Sequence, residues 1–180
     1  MKSESNRYPD LKRIAHSEAA ALRSRGLINL KKILVPTDFS DGARHALTYG
    51  ISFAREYKAE LLVVHVVESL AAPYASDLFP VPMAEVFEEL SAFARKELAK
   101  LEEEARAKGV TARTQVVQGK PSIEIMRVAR EETIDMIVLG THGKGVLDQA
   151  LFGSTTERVV RKAPCPVLTV RLAEHEFVDD

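Results

Sequence analysis

The sequence predicts an α/β fold in which a doubly wound, five-stranded parallel sheet carries helices on both faces. Apolar runs of strand length alternate along the chain with amphipathic segments of helix length. Most of these runs are uninterrupted, as is typical of parallel strands covered on both sides. With 180 residues, of which 46% are hydrophobic, the chain can bury one substantial core. We therefore expect one such domain, with right-handed crossovers and the strand order 3-2-1-4-5.

The first strand is predicted from Lys32 to Pro36, because Ile33–Val35 is a continuous apolar run. Ser40 is placed to cap the following helix by accepting a hydrogen bond from a backbone N–H group. Asp41 then lies in the positive first turn. Apolar residues recur at helical spacing as far as about Lys58, so one face of this helix should be buried.

The second strand, Glu60 to Val67, is apolar except for His65. This histidine is predicted to be a hydrogen-bonded core residue rather than a catalytic base. The segment from Glu68 to Pro82 contains three prolines and shows no period, which predicts a long surface loop or flap.

The longest helical pattern runs from Ala84 to Lys108, and Gly109 is well placed as its left-handed stop. The third strand, Thr111 to Val117, mixes polar and apolar residues, which favours an edge of the sheet. The helix that follows is predicted from Pro121 to about Glu132.

The fourth strand is the apolar run Met136 to Leu139, and it leads directly into a glycine-bearing segment, Gly140 to Ser154. A last helix is predicted from about Ser154 to Lys162. Two prolines then precede the fifth strand, Val167 to Arg171, and because proline cannot donate a ladder hydrogen bond they favour an edge position.

The glycine-bearing segment is predicted to bind phosphate. Glycines let the backbone approach an anion closely, and the first turn of the next helix points unpaired N–H groups towards it. Ser154 and Thr155 add hydroxyl donors, while His142 and Lys144 can lie against negative charge. The alternative is a plain glycine turn between strand and helix; the position after a buried strand favours phosphate.

Two common phosphate motifs are excluded by the residues themselves. Gly145 follows Lys144 where a P-loop requires serine or threonine. Asp148 stands where a dinucleotide fingerprint requires its third glycine.

Composition excludes several further classes. The formal net charge is −1, which disfavours a general nucleic-acid binder, and the apolar runs are too short to cross a membrane. The charged amino terminus lacks the apolar centre of a secretory signal, so we expect a cytoplasmic protein. The single cysteine, Cys165, cannot form an intrachain disulfide and is predicted to be a buried packing residue. The scattered histidines show no zinc-ligand spacing.

The spacing Gly140-x-x-Gly143, nine residues, then Gly153-Ser154 resembles the ATP-binding branch of the universal stress protein family. The resemblance extends to three further segments and covers about Leu30 to Leu172. These segments are the first strand with its turn, Lys31–Ser40; the second strand, Leu61–Val67; and the closing strand, Ala163–Leu168.

The resemblance implies the site residues. Those implied to line the adenosine part are Pro36, Thr37 and Asp38, and Val66 is implied to contact adenine through its backbone. The loop implied to hold ribose and phosphates contains Leu139, Gly140, Gly143, Gly153, Ser154 and Thr155. Asp38 can also simply cap the turn before the helix; its place at the crevice favours a ligand role.

The resemblance also implies ATP, or equally ADP or AMP, as ligand, with magnesium beside the phosphates, and a homodimer through the strand Val167–Arg171. The chain then divides into a partly helical amino-terminal extension (1–29), a nucleotide-binding domain (30–173) and a short acidic tail (174–180).

Three functions follow from these expectations. The first is an ATP-responsive regulator in stress tolerance. The others are a slow magnesium-dependent ATPase, for which Asp38, His142 and Lys144 are candidates without a recognisable catalytic set, and a nucleotide-free interaction module with an unidentified protein partner.

Overall fold

The computed structural model of the chain describes residues 28–68, 83–141 and 152–172. In these ranges the elements, in chain order, are β1 (Lys32–Thr37), α1 (Asp41–Tyr57), β2 (Glu60–Val67), α2 (Met83–Ala107), β3 (Ala112–Gln118), α3 (Pro121–Glu131), β4 (Met136–Gly140), α4 (Ser154–Lys162) and β5 (Val167–Val170). The strands form one parallel sheet in the order β3-β2-β1-β4-β5. The predicted fold class and strand order are therefore confirmed.

Both faces of the sheet are covered, which explains the uninterrupted apolar runs. Ile33 and Val35 point into a core shared with α1 and α2, whereas Leu34, between them, points into a second core shared with α3 and α4. All three side chains are completely buried. Cys165 packs at the margin of the second core and is half-buried rather than buried. Desolvation, and after it the negative charge of Asp135, raises the pKa of its thiol.

The predicted element boundaries hold to within one residue, and β3 and β5 lie at the two edges as expected. The fifth strand ends at Val170 rather than Arg171. Ser40 caps α1, since its Oγ accepts a hydrogen bond from the N–H of Ala43 at 3.2 Å. Gly109 has the expected positive φ, 80°. The predicted flap apart from its first residue, Glu68, the amino-terminal helix and the acidic tail fall on residues outside the described ranges.

A network of charged side chains joins the amino ends of the strands. Arg113 on β3 donates to Glu60 on β2 and to Glu132 after α3, with 2.6 Å between Nη2 and Oε2 of Glu132. Lys32 on β1 donates to the carbonyl oxygen of Glu132 at 3.0 Å. Asp135 accepts hydrogen bonds of 2.7 and 2.9 Å from the backbone N–H groups of Lys31 and Lys32, at the start of β1. Four chain segments are thus linked at one end of the sheet.

The hydrogen bond from Arg113 holds the pKa of Glu132 below its ordinary value of 4.5, and the charge of Lys32 lowers it further. A carboxylate with a depressed pKa in the folded state stabilises the fold above its unfolded pKa and loses that contribution as pH falls through the folded pKa. The network should therefore contribute at neutral pH and weaken under acid conditions.

No helix in the three described ranges is both long and apolar enough to span a bilayer.

Replacing Arg113 with methionine tests the network. We expect a loss of about 1 kcal/mol near pH 7, because two partly exposed carboxylates lose a shared partner. The loss should shrink as pH falls below about 4.5, the ordinary value for glutamate, and through the lowered folded pKa of Glu132, because a protonated Glu132 no longer pairs with Arg113. Urea unfolding at both pH values measures it. The control is Arg106→Met, which breaks an exposed pair within α2 and should cost at most about 0.5 kcal/mol; equal costs for the two variants would contradict the prediction.

Candidate functional site

A cleft of about 270 Å³ opens at the carboxyl ends of β1, β2 and β4, where ligands of such sheets are expected. The structure places nine of the ten predicted site residues on its wall: Pro36, Thr37, Asp38, Val66, Leu139, Gly140, Gly153, Ser154 and Thr155. The tenth, Gly143, lies outside the described residues, as do His142 and Lys144. Residues from four separate stretches of the described chain thus meet around one cavity.

The wall also contains residues that the sequence analysis missed: Ala43, Val64, Glu68, Pro121, Ile125 and Thr156. Glu68 follows the end of β2, and Pro121 opens the helix that follows β3. The parallel topology carries a usable signal here, because every strand of such a sheet ends at the same edge and the first turn of its following helix lies beside it.

The turn between β1 and α1 is held by its own side chains. Thr37, buried at the end of β1, accepts the N–H of Phe39 on its Oγ1 at 3.0 Å. Asp38 accepts the N–H of Ser40 at 3.0 Å and the Ser40 hydroxyl at 2.5 Å, both on Oδ1. The alternative reading of Asp38 as a turn-capping residue is therefore confirmed, and the same side chain lies on the cleft wall.

The hydrogen bond predicted for His65 is present, with 2.8 Å between its Nδ1 and the carbonyl oxygen of Thr37. The ring is half-buried and stacks on Phe39 with 4.5 Å between centroids.

At Gly140 the two sides of the cleft approach each other closely through backbone atoms. A Cβ atom added to Gly140, at the end of β4, would lie 2.7 Å from the carbonyl oxygen of Gly42 and 2.8 Å from its carbonyl carbon. Gly42 is in the first turn of α1. Only a glycine at position 140 allows this approach, which places the end of β4 beside the turn that carries Asp38.

The amino terminus of α4 is tied to the end of β4. The N–H of Gly153 donates to the carbonyl oxygen of Thr141 at 2.8 Å, and the Thr156 hydroxyl donates to that of Gly140 at 2.9 Å. Gly153 occupies the N-cap position, so no side chain caps the helix. The first-turn N–H groups and the positive end of the helix dipole therefore face the cleft, an arrangement suited to an anion.

Among the described residues, no three His, Cys, Asp or Glu side chains are grouped closely enough to hold a metal ion. Two carboxylates, those of Asp38 and Glu68, line the cleft. Magnesium is commonly held by one or two carboxylates together with phosphate oxygens, so this donor set fits an ion that arrives with a phosphorylated ligand.

The chain is similar to universal stress proteins along most of its length. The sequence model of the Universal stress protein family matches residues 29–171. Universal stress protein MJ0531 of Methanocaldococcus jannaschii is 35% identical over 150 residues, which cover 81% of this chain and 85% of that protein. The solved structure of universal stress protein UspA from Lactobacillus plantarum has a TM-score of 0.73 at 31% identity, and the match covers 80% of this chain and 99% of that one.

Two similar solved structures hold a nucleotide. One is a universal stress protein in complex with cAMP, with a TM-score of 0.60, and the match covers 80% of this chain and 98% of that one. The other is the universal stress protein from Archaeoglobus fulgidus in complex with dAMP, with a TM-score of 0.56 and coverage of 79% and 98%. Each is 23% identical to this chain, and the likeness shows a shared fold.

Gly140→Ala tests the backbone contact that joins the two sides of the cleft. We expect it to lower the free energy of unfolding by about 1–3 kcal/mol, because the new methyl group meets rigid backbone. The control is Gly109→Ala, which adds a methyl group in open space but at positive φ and should cost about 1–2 kcal/mol. Backbone NMR shifts of residues around the cleft should change only in Gly140→Ala. Unchanged shifts there would show that the contact does not shape the cleft.

Proposed function

The chain belongs to the universal stress protein family, and on this premise we propose that it is an ATP-binding member acting as a nucleotide-responsive regulator in stress tolerance. The observation that carries the proposal is the meeting of the nine described candidate residues at one cleft, with the uncapped start of α4 on its wall.

The cleft offers different chemistry along its wall. Val64, Val66 and Ile125 belong to one apolar cluster and line the cleft together with Pro36, which suits the flat face of a base, and Glu68 lines the cleft two residues beyond Val66. At the other side, Gly153, Ser154 and Thr155 present backbone N–H groups and hydroxyls, which suit phosphate oxygens. An apolar region beside an anion site is the pattern that a nucleotide needs. We assign the adenosine end to Pro36–Asp38 and Val66 and the phosphate end to Gly153–Thr155. Magnesium would bind the phosphate oxygens of the ligand, with Asp38 or Glu68 as the carboxylate that the cleft offers to it.

A ligand that binds only the folded form stabilises it, by about 2.7 kcal/mol when its concentration is one hundred times the dissociation constant. Bound ATP would also stabilise whichever conformation or assembly holds the two sides of the cleft together. This thermodynamic link is sufficient for regulation, and it requires no hydrolysis. Retention of the nucleotide is what separates this function from that of an interaction module.

We also propose that the protein forms a homodimer through its fifth strand, β5. β5 has β4 on one side and lies at an edge of the sheet. Its residues Val167–Thr169 are half-buried within the single chain. A second copy that pairs along this edge would cover them and satisfy backbone groups that an edge strand leaves open.

ATP binding is tested by calorimetry with ATP and magnesium on the full chain. We expect saturable heat and a rise in melting temperature. Ser154→Glu should leave stability unchanged or slightly raised, because a carboxylate suits a helix amino terminus, while ATP binding weakens by more than about tenfold through charge repulsion. Ala99→Glu, an exposed position on α2, supplies the same charge as a control and should bind normally. Absence of binding by the unmodified protein at millimolar ATP would refute the function.

The dimer is tested by sedimentation equilibrium. We expect a mass of about twice the 19.9 kDa chain and a shift to monomer in Thr169→Lys, because an edge lysine opposes strand pairing. Val160→Lys, on the exposed face of α4, is the matched control and should remain dimeric. A monomeric unmodified protein, or a dimer unaffected by Thr169→Lys, would place the assembly elsewhere.

A further inference from the structure

A histidine outside the cleft wall contacts the chain on both sides of Asp38. His65 lies on β2 directly opposite Thr37 in the strand register, and the described residues lining the cleft do not include it. It reaches Thr37, immediately before Asp38, by a hydrogen bond and Phe39, immediately after Asp38, by ring stacking. The position of Asp38 on the wall is therefore bracketed by one side chain from a neighbouring strand.

The direction of the hydrogen bond follows from the chemistry of the two groups. A carbonyl oxygen can only accept, so Nδ1 of His65 carries the hydrogen and donates it to Thr37. The imidazolium form keeps a hydrogen on Nδ1 as well, and the anchor does not depend on the charge of the ring. An amide of suitable length could make the same donation, whereas a phenyl ring could not.

The stacked partner holds an unfavourable backbone conformation. Phe39 has φ of 62°, in the left-handed region that costs a residue with a Cβ atom about 1–2 kcal/mol. Such a conformation persists when surrounding contacts over-determine it. Here the ring of Phe39 lies against His65 on one side and packs edge-on against Phe93 of α2, with 6.3 Å between centroids.

We infer that His65 is a positioning residue for the nucleoside end of the cleft: chiefly through its Nδ1–H, with the ring as a smaller contribution, it holds the Thr37–Phe39 turn, and with it Asp38, in the ligand-ready arrangement. The inference rests on the proposed function. A turn that is already ordered loses little conformational entropy when a nucleoside binds, which lowers the entropic cost of association. The hydrogen bond and the ring stacking described for His65 both reach the turn between β1 and α1, so binding at the phosphate end, on β4 and α4, should be indifferent to it.

Two substitutions separate the donor from the ring. His65→Phe keeps a ring that can stack on Phe39 and removes the N–H donor. His65→Asn keeps an N–H close to the position of Nδ1 and removes the ring. Each variant, in the full chain, is titrated with ATP, adenosine and inorganic tripolyphosphate, and its melting temperature is recorded. If His65→Phe does not fold, His65→Leu replaces it under the same criteria.

We expect His65→Phe to weaken ATP and adenosine binding by about tenfold, the loss of one well-placed hydrogen bond, while tripolyphosphate binding changes by less than about twofold. His65→Asn should recover ATP binding to within about threefold of the unmodified protein. Equal weakening of ATP and tripolyphosphate, normal ATP binding by folded His65→Phe, or an asparagine variant as weak as the phenylalanine variant would each overturn the inference. If the unmodified protein binds no ATP, the proposed function itself fails, an outcome distinct from all of these.

Discussion

The close approach of two backbones, at Gly140 and Gly42, is the constraint on which the cleft depends. One glycine ends β4 and the other lies in the first turn of α1, and there is no room for a side chain between them. The pairing of β1 with β4 makes the turn that carries Asp38 a neighbour of the strand that leads to α4, and this backbone contact allows their close approach. The hydrogen bonds from Gly153 and Thr156 then extend the same arrangement to the amino terminus of α4. A site assembled from remote segments is thus built mainly from main-chain contacts.

The fold could be predicted in detail from the sequence because each element carries its own local signal. Ile33–Val35 has the continuous apolar character of a strand covered on both faces, and Ser40 is a favourable cap at the correct place. Glu68 and Pro121 carry no local signal of this kind, and only the parallel topology brings them to the cleft edge; Ile125 reaches the cleft through tertiary packing. Asp38 is a further example, because its sequence position fits a turn-capping residue and a ligand-binding residue equally well. The coordinates show that it caps the turn and that it also lines the cleft.

The ionic network and the candidate cleft lie at opposite ends of the sheet. The amino ends of β1, β2 and β3 carry the ionic network around Arg113 and Glu132, whereas the described cleft residues cluster at the carboxyl ends. Parallel topology makes this separation available, because all strands point the same way. Substitutions that weaken one end of the sheet need not alter the geometry of the other end. The charged network can also stabilise the amino ends of the strands without placing its carboxylates near an anion bound in the cleft.

The glycine at the N-cap of α4 has a consequence beyond the site. Helices are commonly capped by a side chain that accepts a hydrogen bond from a first-turn N–H group. Gly153 has no such side chain, so the first-turn N–H groups of α4 are available to an anion from solution. The helix has only nine residues, and the chain continues from it through Pro164 and Pro166 into the edge strand β5. The stability of α4 therefore affects how well this edge of the sheet is anchored. Because the first-turn N–H groups of α4 have no side-chain cap, an anion bound there would stabilise the helix and, through it, the segment that leads into β5.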